Sequence, residues 1–133
     1  WHSISNLYNQ IAQEFDLTQA TGYALLNIDS NEGVAATKIA PLMGMKATSL
    51  SRMLKKMEGD NLIYKKKCEN DGRSVKIHLT EKGLKKKKIA RNVVLEFNEY
   101  MLERIDQSDL KQYFETMRSI TKITEDYKNL KLT

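Results

Sequence analysis

Apolar residues recur along this chain at two periods, and the places where the period changes mark out its elements. Ile4, Leu7, Tyr8, Ile11 and Phe15 stand at helical spacing and predict an amphipathic helix with a broad apolar stripe. Thr18 is placed to cap a second helix carrying Tyr23, Leu25, Leu26 and Ile28. That helix ends in "DSNEG", where Asn31 and Gly33 supply turn chemistry. A short third helix is expected from about Thr37, holding Ile39, Ala40 and Leu42. With Thr37 as its cap, Pro41 removes the first helical hydrogen bond. After Gly44, Leu50, Met53, Leu54 and Met57 fall at i, i+3, i+4 and i+7 within "KATSLSRMLKKMEGD". Thr48, Arg52 and Lys55 then lie on the opposite side, flanked by Ser51 and Lys56. Gly59 and Asn61 close this helix.

The period next shortens to two. "LIYKKK" is rich in β-branched and aromatic residues, and "VKIHL" alternates Val75, Ile77 and Leu79 with Lys76 and His78. These runs predict a hairpin turning at Asn70-Asp71-Gly72. Thr80 can cap a long helix through Ile89, Val93, Val94, Phe97, Tyr100 and Met101 towards Ile105. After a break at Asp106 to Ser108, a last helix carries Leu110, Tyr113, Phe114, Met117, Ile120 and Tyr127. The expected fold class is mainly α with a small two- or three-stranded antiparallel wing, a winged helix-turn-helix.

Composition narrows the setting. A length of 133 residues suits one domain. The single cysteine, Cys68, excludes an intramolecular disulfide and fits a reducing compartment. No run approaches the roughly 18 apolar residues of a membrane span, and the N-terminus does not read as a signal peptide. A cytoplasmic protein without membrane partners is expected. The charge is unevenly placed. Residues 1–36 hold four acids and no Lys or Arg (−4), residues 37–91 sixteen bases and five acids (+11), residues 92–133 six bases and eight acids (−2). A basic middle between acidic flanks suits a polyanion.

Catalytic chemistry is not indicated. There is no phosphate-binding glycine loop, no metal-ligand cluster and no nucleophile with a paired base, so neither enzyme, cofactor nor metal is expected. His2 and His78 lack partners at metal-ligand spacing.

Duplex DNA fits better. Its major groove, about 12 Å wide, admits one helix with an apolar back and a polar, cationic front. Arg52 is a candidate for a bidentate bond to guanine, and Thr48, Ser49 and Ser51 are short enough for close approach. Lys55 and Lys56, a turn later, suit phosphates. Thr37 and Lys38, opening the first helix of the motif, are further candidates, as are Lys66 and Lys76 on the wing. Arg73 is expected at the wing tip, entering the minor groove, with Asp71 orienting the guanidinium and Gly72 allowing a positive φ. Lys85 to Lys88 spiral round most of a helix, so they read as solvated surface, with phosphate contact the alternative.

The wing carries Asp-x-Arg, five residues, then Leu-Thr, at Asp71, Arg73, Leu79 and Thr80. With "SLSRMLKKMEGDNLIYK" before it, the sequence resembles the MarR (multiple-antibiotic-resistance) family of bacterial transcriptional regulators along nearly its whole length. The resemblance implies a homodimer bound to pseudo-palindromic DNA, acting as a repressor and released by a small-molecule effector. It implies one domain over 1–133, with the winged module at about 34–83 and dimerisation helices at about 1–17 and 84–133. Tyr8, Phe15 and Tyr23 are candidates for a ligand pocket between the dimer helices and the DNA module, plain packing being the other reading. The reactive cysteine of the family's peroxide-sensing branch lies in the first helix, where this chain has none. Cys68 sits instead beside Glu69, which raises a thiol's pKa, so no sensor role is expected. Pro41 and Gly83 depart from common family patterns. The rival function is a winged helix used for protein or RNA contacts.

Overall fold

A computed structural model describes the backbone of residues 2–68 and 71–132, and their side chains except at 68 and 71–74. Along the described residues run α1 (His2–Glu14), α2 (Gln19–Asn27), β1 (Val34–Ala35), α3 (Ala36–Met43), α4 (Ala47–Gly59), β2 (Ile63–Cys68), β3 (Asp71–Leu79), α5 (Glu81–Leu102) and α6 (Gln107–Leu132). The chain divides into two compact units, Trp1–Val94 and Leu95–Thr133, with the boundary inside α5. No helix among the described residues is long and apolar enough to cross a membrane.

The core of the first unit is built where the two periods meet. Leu25 from the second helix and Ile28 at its C-cap, Ile39 from the third, Met57 from the fourth, and Ile63 and Ile77 from the strands are fully buried. Burying each such side chain contributes about 1.5–3 kcal/mol. By contrast α1 buries none of its residues fully, so its stripe is only half-covered within one chain. Thr18 caps α2 as its position suggested, its hydroxyl accepting from the Thr21 N–H at 3.1 Å. Gly33 then turns the chain with φ +66°.

The sheet is three-stranded and antiparallel, in the order β1-β3-β2. Its short edge strand displaces the expected start of α3. The helix begins at Ala36, with Ala35 rather than Thr37 before it and no side-chain cap. Ala35 is held by pairing with Lys76 of β3, so strand pairing rather than a capping hydroxyl fixes where the helix begins. Pro41 therefore falls in the sixth position of α3, past the first helical bond. The helix ends at Gly44 with φ +60°, where the Met45 N–H reaches the Ala40 carbonyl at 3.0 Å.

The hairpin also differs from expectation at its turn. Asp71 and Gly72 belong to β3, Cys68 pairs with Asp71, and an irregularity lies between Lys67 and Cys68. Of the expected turn, Asn70 lies outside the described residues, as does its neighbour Glu69.

In the second unit, α5 stops at Leu102 rather than Ile105, and α6 follows from Gln107. Asp106 precedes α6 and accepts the Ser108 N–H at 2.7 Å. All of α6 except Leu110 is exposed, including Tyr113, Phe114, Met117, Ile120 and Tyr127.

Asp106 and Asp29 do similar work. Asp106 is held below the usual carboxylate range, first by the Ser108 hydroxyl and then by its N–H. Asp29 is lowered by the N–H groups of Glu32 and Asn31, which its Oδ1 accepts at 2.7 and 2.8 Å. A depressed folded pKa means the unfolded chain takes up protons first. This stabilisation is present above the unfolded carboxylate pKa, about 3.9, and is lost as pH falls through the lower folded value. Asp29→Asn is expected to lower stability at pH 7 and to shrink the further loss on going to pH 3. Thermal melts of variant and parent at the two pH values check this.

Candidate nucleic-acid interface

The fourth helix separates its two duties by face. Leu50, Leu54 and Met57 are buried and Met53 is half-buried, which holds the helix to the body. Thr48, Ser49, Ser51, Arg52, Lys55 and Lys56 are all exposed. None of these three cations forms an ion pair among the described residues. At the leading end, Lys46 gives no side-chain cap and the first turn contains no acid. The orphan N–H groups of that turn thus meet no competing carboxylate, which favours an anion there. Thr37 and Lys38, in the first turn of α3, are exposed as well.

Strand register sorts the wing lysines. Lys66 lies opposite Lys76, and Tyr64 opposite His78, on one face. Lys65 alternates to the other face and pairs with Glu58 at 2.9 Å. Lys66 is exposed and Lys76 half-buried. The backbone of Asp71 and Arg73 is in β3, while the expected contact between their side chains lies outside what is described.

The start of α5 holds residues whose role the sequence reading missed. Thr80 was expected as a cap, and its hydroxyl accepts the Gly83 N–H at 2.9 Å. That hydroxyl also donates to the Asn61 carbonyl at 2.7 Å, and the Thr80 N–H donates to Leu62 at 3.1 Å. Lys82 Nζ reaches the Asp60 carbonyl at 2.9 Å, Lys86 that of Phe15 at 2.5 Å, and Lys87 that of Ile28 at 2.5 Å. Those carbonyls stand at the C-terminal ends of α4, α1 and α2, where backbone acceptors are unpaired and the helix dipole is negative. The three ammoniums thus tie three helix ends to the first two turns of α5.

The solvated-surface reading of the lysine run therefore holds for Lys85 and Lys88, both exposed, and fails for Lys86 and Lys87. One signal was available. Gly83 precedes this pair by three and four residues, so both stand on the helix face that Gly83 leaves bare.

The aromatic trio expected around a ligand is dispersed in role. Tyr8 and Phe15 are half-buried, and burial raises the Tyr8 phenol. Tyr23 is exposed and donates its hydroxyl to the Leu42 carbonyl at 3.3 Å. A cleft of about 420 Å³ is lined instead by Asp16, Lys56, Asp60, Leu62, Lys82 and Lys86.

A model described as the MarR family matches residues 17–75. The HTH-type transcriptional regulator SarZ of Staphylococcus aureus (strain MRSA252) is 30% identical over 105 residues, covering 77% of this chain and 70% of that protein. The chain belongs to the MarR family. In the USA300 strain of the same species, SarZ is 29% identical over 126 residues, which cover 93% of this MarR-family chain and 82% of that protein. The fold agrees with AbsC, a MarR family transcriptional regulator from Streptomyces coelicolor, at a TM-score of 0.82 and 23% identity, over 94% of this chain and 86% of that one. It agrees equally with MepR of S. aureus, solved as a DNA complex, at 0.83 and 20%, over 92% and 91%. This MarR-family protein is thus mainly helical, with a winged helix-turn-helix made by α3, α4 and the three-stranded sheet.

Proposed function

We propose that this MarR-family protein is a cytoplasmic repressor that binds a pseudo-palindromic DNA site as a homodimer. The observation that carries the reading is α4, whose exposed face presents Thr48, Ser49, Ser51 and Arg52 without an ion pair while its back is buried. Arg52 would read a guanine in the major groove, and Lys55 and Lys56 would meet phosphates. Thr37 and Lys38 would contact the backbone beside them. Lys66, Lys76 and the Asp71–Arg73 segment would follow the flanking backbone and minor groove.

The exposed apolar residues of α6 support a second copy as partner, because single chains rarely leave so continuous an apolar stripe in water. Residues 1–17 and 84–133 would supply that contact and 34–83 the DNA module. Two α4 helices about 34 Å apart would meet successive major grooves. The attachment of α5 to the end of α4 through Thr80 and Lys82 would carry a change in dimer geometry to the DNA-reading helix. An effector held near Tyr8, Phe15 and Tyr23 would act through that joint.

Selection of bound sequences from a random duplex pool tests the reading. A two-fold-symmetric site with half-sites one helical turn apart is the expected product. A pool that returns unenriched overturns it.

A further inference from the structure

Two directly opposed positions on the wing carry the same charge. Lys66 of β2 faces Lys76 of β3, and the neighbouring rung on that face is Tyr64 against His78. The aromatic rung is cohesive, with ring centroids 5.3 Å apart and planes 18° from parallel. Gly33 backs it closely, since a Cβ there would come within 2.8 Å of the imidazole. The lysine rung has no such relief. Across the sheet, Lys65 is neutralised by Glu58 at 2.9 Å, whereas Lys66 and Lys76 have no ion pair among the described residues.

Like charges directly opposite one another destabilise a strand pair, because their Cβ atoms stand only about 4.5–5.5 Å apart. Lys76 is also half-buried, which weakens the screening that water would give. The same spacing lets two flexible ammoniums close on the oxygens of one phosphate. A phosphodiester would turn the repulsion into two attractions, while Tyr64 and His78 keep the strands in register beside it.

We propose that Lys66 and Lys76 form a clamp for one phosphate of the DNA backbone, at the cost of stability in the free wing. This rests on the DNA-binding reading above and adds that affinity and wing stability oppose each other at this rung. Charge reversal at one position separates the two effects. In the free protein, Lys66→Glu replaces repulsion by attraction and is expected to raise the melting temperature by roughly 1–4 °C. Its affinity for the selected site is expected to fall by about tenfold or more. With Lys66→Gln and Lys76→Gln combined, the slope of log affinity against log salt is expected to lessen by about two, one phosphate for each wing of a dimer.

A lower melting temperature for Lys66→Glu overturns the clamp. So does an unchanged salt slope for the double Lys66→Gln, Lys76→Gln variant, and in that case the DNA-binding reading survives as long as the parent still selects its site. Inorganic phosphate at constant ionic strength supplies the remaining arm. If it stabilises the parent but not the double Gln variant while the DNA salt slope stays unchanged, the rung holds a free anion and the DNA backbone is ruled out as its occupant. Failure of the parent to bind any duplex removes the DNA reading and the clamp together.

Discussion

Gly83→Ala is expected to destabilise the protein by about 3 kcal/mol or more, lowering its melting temperature by roughly 10 °C. Helix propensity alone argues the opposite, since alanine inside a helix is favoured over glycine by about 0.8–1 kcal/mol. Contact reverses the sign. A Cβ at Gly83 would stand 1.9 Å from the Leu62 carbonyl oxygen and 3.0 Å from its carbon. That oxygen cannot easily yield, because it accepts the Thr80 N–H and lies at the junction of α4 with β2. Separating the two segments would also stretch the bonds from Thr80 to Asn61 and from Lys82 to Asp60. Gly59→Ala is the matched comparison, for nothing lies within 4 Å of a Cβ there. It is expected to be neutral or to stabilise by a few tenths of a kcal/mol. Thermal or urea unfolding of the two variants decides the matter. Equal stability in both would mean that α5 does not press on Leu62.

Arg52→Ala is expected to weaken binding to the selected DNA site by about 5- to 150-fold for each α4 helix engaged, or about 1–3 kcal/mol. Binding to unrelated duplex should change far less. Lys55→Ala provides the contrast, because a phosphate contact weakens all sequences alike and lowers the salt slope by about one per copy. The difference arises from the geometry of the side chains. Arg52 is exposed, on the helix face opposite the buried stripe, and no ion pair among the described residues occupies it. Its planar guanidinium can match two acceptors of one guanine, whereas an ammonium acts as a point charge. Titrations with the enriched site and with a scrambled one measure both quantities. Parallel losses on the two duplexes would reassign Arg52 to the backbone and leave base reading to Thr48, Ser49 and Ser51.

Much of the fold could be read from residue order, as could the exposure of the α4 residues proposed to face DNA. The stripe Leu50, Met53, Leu54 and Met57 placed the body side of α4, and burial follows it. Thr18 and Thr80 cap the helices they precede, because each bond spans only three residues. Alternation in "VKIHL" put Ile77 and Leu79 inside. The start of α3 was less legible. Nothing local announces that Val34 and Ala35 will pair with Ile77 and Lys76, more than forty residues away, and that pairing moves the helix start to Ala36. The lysine run was misread for a similar reason. Composition marks Lys86 and Lys87 as charged, and charged residues normally face water.

Local order alone thus determined the periods, the caps at Thr18 and Thr80, the two long strands and the cationic middle of the chain, since each depends on neighbours within a turn or along a strand. Tertiary structure decided which lysines serve the surface and which serve the frame. A helix leaves its last carbonyls without partners, and only the packed chain brings the ends of α1, α2 and α4 to the ammoniums of Lys86, Lys87 and Lys82. It also decided that Gly83 must lack a side chain, because the Leu62 carbonyl takes the space a Cβ would fill.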